Sequence, residues 1–261
     1  MSKKDNRGKQ PPPPKSGAKP KVPGAPKVEP FPLKPSQMIV NGIEGFRRAP
    51  LPLAFGTALP FLVSLPMLIA GEARLSSVDE FSFSDSDALG GMALYVLGVV
   101  IAGAASYPVC DYALRASRGQ EIELAAPFRD RGRFLAMFNA SFWFWAGILL
   151  GLSLFVLPAV FVLVFYVFYG FILVDRPDLG GSKALGTSVR IGDKRRIAMF
   201  GLAVLFGALV FFCYLLPVAF FGLTLITAVL VYLLLVVGVA VSLVSWASLY
   251  DVLRKDLPDA W

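Results

Sequence analysis

Residues 134–174 read FLAMFNASFWFWAGILLGLSLFVLPAVFVLVFYVFYGFILV, 41 positions without one Asp, Glu, Lys or Arg. As a single helix this run would be about 60 Å long, roughly twice the hydrocarbon thickness of a bilayer. Pro158 lies near its middle and offers a place to fold back. The run therefore predicts two membrane-crossing helices, 134–156 and 159–174, joined by a tight uncharged turn. Gly147 and Gly151 form a GxxxG pair in the first of them, expected to serve helix packing within the chain rather than dimerisation. Phe161, Phe165 and Phe168 make an aromatic stripe on the second.

The same arithmetic extends outward. The 261-residue chain is 56% hydrophobic and 16% charged, where a soluble domain is about 25% charged. Its apolar residues come in blocks. Residues 51–70 and 89–110 each suit one crossing, and 197–250 holds 54 residues without a formal charge, enough for two. The break in that last block is expected at Leu216-Pro217, because Pro disfavours continuing a helix, giving spans 197–216 and 222–249. Pro52, Pro60 and Pro66 predict kinks in the first span. Gly98, Ala102 and Ser106 predict a close-packing stripe in the second. The expected fold is an all-α polytopic membrane bundle of about six transmembrane helices, over residues 49–261.

Two segments precede it. Residues 1–35 are rich in Pro and Lys and bury too little apolar surface to offset ordering, so a disordered tail is expected. The tail lacks the apolar stretch of a secretory signal. Within 36–48, Met38, Ile39, Ile43 and Phe46 share a helical face, which predicts an interfacial amphipathic helix.

Charge sets the expected orientation. Residues 1–48 carry 11 Lys/Arg, loop 111–133 five, loop 175–196 six and the C-terminal end two, whereas loop 71–88 carries only Arg74. Bases cluster in alternate segments, so both termini and both basic loops are expected in the cytoplasm of a multi-pass inner-membrane protein. Arg47, Arg48, Arg131, Arg133, Arg195 and Arg196 flank spans and are expected to meet anionic phospholipid headgroups.

The second basic loop carries a motif: Asp175-Arg-Pro177, then Ala184-Leu185-x-x-Ser188, then Gly192-x-Lys194 just before a span. Asp175 suits the cap of a helix starting at Pro177, with Ala184, Leu185 and Ser188 on one face. This pattern resembles a set of bacterial six-helix membrane proteins, the YciC-like proteins and the membrane domain of some glycerophosphoryl diester phosphodiesterases. Tyr112-Ala-Leu-Arg-Ala-Ser-Arg-Gly119 in the first loop is similar too. The resemblance implies a helical membrane domain acting as anchor or accessory module. Ala113-Leu114-x-x-Ser117 also echoes Ala184-Leu185-x-x-Ser188, a faint internal repeat.

Catalytic chemistry finds little footing. There is no His, hence no commonest general base or metal ligand. Cys110 and Cys213 lie in separate apolar blocks without metal-ligand spacing. No phosphate loop or nucleophile motif occurs. No catalytic residue, metal or cofactor is expected. The expected role is a non-enzymatic scaffold, anchor or accessory subunit with the bilayer and a membrane-protein partner, and no nucleic acid. The alternative is a permease-like or lipid-handling protein, with a cavity lined by Asn139, Ser141 or the serines of the last span.

Overall fold

A computed structural model of the chain describes residues 33–77, 86–154, 156–222 and 224–256. The tail reading over 1–35 falls mostly outside them, as do Asp79, Glu80 and Asp85 of the acidic loop. The described residues are helical, with no strand among them. Six helical segments are long and apolar enough to cross a membrane: Pro50–Leu75, Ser86–Ser117, Arg131–Leu154, Pro158–Asp175, Arg196–Phe221 and Leu225–Leu253. The chain is an all-α, multi-pass membrane protein.

Helix α1 (Pro35–Arg48) leads into α2 (Pro50–Leu75), which starts with Pro at its first position. Pro suits that place because the first turn leaves its N–H groups unbonded anyway. Pro60 and Pro66 are accommodated inside α2. The second span is two helices in line, α3 (Ser86–Ala105) and α4 (Tyr107–Ser117), interrupted at Ser106 ahead of Pro108. Helices α2 and α3 pack through facing glycines. A Cβ on Gly71 would lie 3.0 Å from the carbonyl oxygen of Gly91, and one on Gly91 equally close to that of Gly71. Gly98 abuts Met67 and Leu68, so the stripe expected on this span does admit a neighbour.

The expected hairpin forms, but Pro158 lies in the first turn of its second helix, where Pro fits, and not between the two helices. Helix α5 (Arg131–Leu154) turns into α6 (Val156–Tyr166). A Cβ on Gly147 would touch Val162, and one on Gly151 would lie 2.6 Å from the backbone nitrogen of Ala159. The GxxxG pair thus seats α6 on α5 within one chain. The fourth span continues as α7 (Tyr169–Asp175), and α8 (Gly181–Ile191) follows on the surface. Helices α9 (Arg196–Phe221) and α10 (Leu225–Leu253) complete the bundle.

Three expectations need correction. The fifth span does not stop at Leu216-Pro217. Helix α9 runs through Pro217 to Phe221, because membrane helices accommodate an internal Pro when neighbours or local adjustment satisfy the freed backbone group. The stop is Gly222, whose φ of 67° few other residues adopt, and Thr224 caps α10 by accepting from the Thr227 N–H at 3.1 Å. Second, the motif helix does not start at Pro177. Asp175 ends α7, and α8 begins at Gly181, where a Cβ would collide with the backbone of Ala136 and Ala140. Third, the second span does not end at Cys110. It runs to Ser117 and carries Asp111 inside it, 3% exposed and bonded to Arg115 Nε at 2.8 Å.

Helix α1 forms where expected but docks by a different face. Met38, Gly42, Gly45 and Ala49 are buried, while Ile43 is exposed. The glycines let α1 lie directly on α10, and Ser245 Oγ donates to the carbonyl of Met38 at 2.9 Å.

Candidate functional site

The chemistry-bearing side chains gather at the end of the bundle that holds the two basic loops. Its centre is a ring of two arginines and two aspartates. Arg118, which caps α4, donates from Nη1 to Asp175 Oδ1 at 3.0 Å and from Nη2 to Asp251 Oδ1 at 2.7 Å. Arg254 donates from Nη1 to Asp175 Oδ2, and its Nε lies 3.2 Å from Asp251 Oδ1. Tyr250 OH donates to Asp175 Oδ2 at 3.2 Å. The ring therefore joins the ends of spans two, four and six.

Its surroundings explain its strength. Phe168, Phe171, Trp246 and Tyr250 pack together beside it, with ring centroids 5.9 Å apart in the edge-on Phe168–Trp246, tilted Phe168–Tyr250 and stacked Phe171–Tyr250 pairs. Low local dielectric strengthens the ion pairs but penalises any member left alone. Burial works against the charged Arg118, yet the hydrogen bonds to Asp251 and Asp175 outweigh it and hold its pKa above the ordinary guanidinium value. A balanced ring of this kind positions helices; each acid is already spent on a base.

The motif residues of the second loop part company. Asp175 belongs to the ring. Pro177 is exposed on the turn between α7 and α8. Here Arg176 hydrogen-bonds Asp178 at 3.0 Å and lowers its carboxyl pKa. Ala184, Leu185 and Ser188 share the buried face of α8 as expected. Ser188 Oγ donates to Phe165 O at 2.8 Å and accepts from the Phe168 N–H at 3.2 Å. It thus bridges the break between α6 and α7. Gly192 is buried under the Met199 thioether. Lys194 lies in a short 3-10 turn before α9. The echo of this motif in the first loop sits differently: Ser117 donates to Leu114 O of its own helix.

The arginines expected at headgroups are scattered. Arg47, Arg48 and Arg131 are exposed. Arg133 donates to Tyr107 OH at 2.8 Å and to Asp130 Oδ2 at 3.0 Å. Arg195 is half-buried. Arg196 pairs with Asp193 and lies 4.7 Å over the Phe165 ring. Arg118 was legible only as a base of the first loop, and Tyr250, Asp251 and Arg254 carried no expectation. The available signal was that Asp251 directly follows the uncharged block.

A second feature lies beside the ring. A groove of about 490 Å³ opens between the α1–α2 junction and the first loop, lined by Arg48, Pro50, Leu51, Pro52, Gly119 and Glu121 among others. Gly119 turns the chain there with φ 66°, and Tyr112 OH fixes the loop by donating to Leu124 O at 2.6 Å.

No cluster of three or more metal-ligating side chains occurs among the described residues. No family model, curated protein or solved structure matches the chain.

Proposed function

We propose that this protein is a non-catalytic scaffold, anchor or accessory subunit of the cell inner membrane, with both termini in the cytoplasm. The observation that carries the reading is where the interior hydroxyls are spent. Ser141 Oγ pairs with Tyr169 OH at 3.3 Å. Ser242 donates to Gly238 O, and Ser245 to both Met38 O and Val241 O. Asn139 is exposed on α5. A permease needs such groups facing a path through the bundle; here Ser141 and Ser245 tie neighbouring helices, and Ser242 bonds back to its own helix. The ring at the loop end supports the same reading, since it binds three spans at one point.

Orientation rests on the clustering of Lys/Arg in alternate segments. Cysteines at positions 82 and 120 test it: in intact cells an impermeant maleimide should reach the first and miss the second. Labelling of position 120 from outside overturns the orientation.

The role is tested in mild detergent and in vesicles. A membrane protein co-purifying at fixed stoichiometry in two detergents, with a single narrow distance between spin labels on the loop-end termini of α4 and α10, is the expected result. A two-peaked distance distribution, or scrambling of labelled phospholipid faster than in empty vesicles, favours the permease-like or lipid-handling alternative and overturns this one.

A further inference from the structure

The groove beside Arg48 has a chemistry of its own. Arg48 and Glu121 both line it, and Arg48 is exposed. Arg48 forms an exposed ion pair with Glu44 one turn before it, at 3.8 Å from Nη2 to Oε2, too long for a hydrogen bond, so its donors stay open to a further acceptor. Other charges close by are already engaged: Arg115 with Asp111, and Glu123 with Arg129. The groove continues past Glu121 and Ile122 into a second hollow of about 610 Å³, also lined by Arg115 and Glu123. One cation and one anion thus line the same hollow, which is of ligand-binding size.

The opposite wall is apolar and leads toward the membrane. Leu51 at the mouth is 78% exposed, and Phe55, one turn further along α2, is 44% exposed. Leu62 follows on the same face at 57%. A ligand held here would have charged groups against Arg48 and Glu121 and a hydrocarbon tail along α2.

We infer that this groove is a binding site for a zwitterionic phospholipid bearing a primary amine, of the phosphatidylethanolamine class. The phosphodiester is held by the Arg48 guanidinium, which offers several N–H donors to its oxygens. The ammonium donates to Glu121. The acyl chains run along Leu51, Phe55 and Leu62. Glu121 and the nearby Glu44 disfavour a purely anionic headgroup, which narrows the general expectation of anionic lipid at Arg48. A choline headgroup fares worse because its quaternary nitrogen carries no N–H. The inference rests on the membrane crossing, and it stands or falls separately from the scaffold reading: a lipid bound at the rim need not be moved.

The test is native mass spectrometry of the delipidated full-length protein in detergent. It is offered equal amounts of phosphatidylethanolamine, phosphatidylglycerol and phosphatidylcholine, each with the same acyl chains. Phosphatidylethanolamine is expected to bind about tenfold better than either, the scale of one charge-assisted hydrogen bond. Arg48→Gln should abolish the tight binding. Glu121→Gln should bring phosphatidylethanolamine and phosphatidylglycerol to within about twofold while phosphatidylglycerol still binds. Both side chains are exposed, and unchanged melting temperatures confirm that the variants fold. Equal retention of the three lipids by the native protein, or unchanged preference in both variants, overturns the site. Millimolar glycerophosphoethanolamine separates lipid from soluble phosphodiester: failure to displace the lipid is expected, and full displacement overturns a lipid ligand.

Discussion

Helices α9 and α10 adjoin across the Gly222 turn and are built from the same apolar vocabulary. Only 17% of the apolar window of α9 is buried, against 39% for α10. The difference lies in where the small side chains fall: Gly201 and Gly207 of α9 are exposed and meet no neighbour. Helix α10 carries Gly238, Ala240, Ser242, Ser245 and Ala247 on buried positions, where α1, α4 and α9 pack against it, Gly238 facing Cys213 of α9. Helix α9 presents Phe211, Phe212, Tyr214, Phe220 and Phe221 outward. Lipid tails are as apolar as Leu, so burial in a membrane bundle follows close fit rather than hydrophobicity. Hydropathy alone cannot tell these two helices apart, but substitution can.

The largest effect is expected where α10 ends. Arg118→Ala removes one of the two guanidiniums that join Asp175 and Asp251, leaving Arg254 to hold two close carboxylates whose side chains are only 17% and 20% exposed. Loss of one partner from a buried pair costs about 3–5 kcal/mol, so a loss of about 3 is expected at this partly exposed site. Thermal unfolding in detergent measures it. A cycle with Asp251→Ala should show coupling above about 1 kcal/mol. Additive single-variant effects would mean that the ring contributes geometry without energy, and the contrast between the two helices would rest on packing alone.

The next test is the α1–α10 contact. A Cβ on Gly42 would lie 2.3 Å from Ser245 Oγ and 2.6 Å from the Val241 carbonyl oxygen, so something must move. Ser245 cannot simply turn away without losing its bond to Met38 O. Gly42→Ala should cost about 1–3 kcal/mol by overpacking and raise amide exchange over residues 38–48. A neutral result would show α1 to be loosely laid on the bundle.

Away from both helices, Ser188→Ala tests how the fourth span is held at its break. The substitution leaves the Phe168 N–H and the Phe165 carbonyl without their shared hydroxyl. An unsatisfied buried donor costs about 1–3 kcal/mol, although hydroxyls in membrane bundles average nearer 0.6. A loss of about 1 kcal/mol is expected, with faster exchange at Phe168. No change would mean that the break between α6 and α7 is held by packing, as α9 is.

These sites also mark how far the sequence could be read. The crossings were legible because charge-free runs of fixed length are a direct consequence of the bilayer, and so was a fold-back within 134–174, although Pro158 opens the second helix and does not form the turn. Gly147 and Gly151 were legible because their partners lie on the next helix. The ring was not: Arg118 meets residues 57 and 133 positions away, pairings that no local pattern encodes. Asp175 misled because a carboxylate before Pro resembles a helix cap, whereas tertiary ion pairs claimed it. On α1 the apolar residues suggested a lipid face, but Gly42 and Gly45 chose the docking face by admitting backbone contact. The Gly222 stop was visible as Gly followed by a Thr cap, and Pro217 drew attention away from it.

The smallest expected effect completes the comparison. Gly201 and Gly207 on α9 are exposed, and a Cβ at either would meet nothing within 4 Å. Replacing a helical Gly by Ala removes backbone freedom from the unfolded chain and should stabilise by about 0.5–1 kcal/mol where space allows. In a membrane the gain should sit at or below the low end, because the unfolded reference there already retains helix. Gly42→Ala and Gly201→Ala are therefore the same chemical change with opposite expected signs. Thermal unfolding of the pair, run side by side, reads the contrast directly. If Gly201→Ala or Gly207→Ala proves destabilising, and more so as protein is concentrated in the bilayer, then another protein surface fills those notches. The exposure of α9 would then belong to the isolated chain and not to the working assembly.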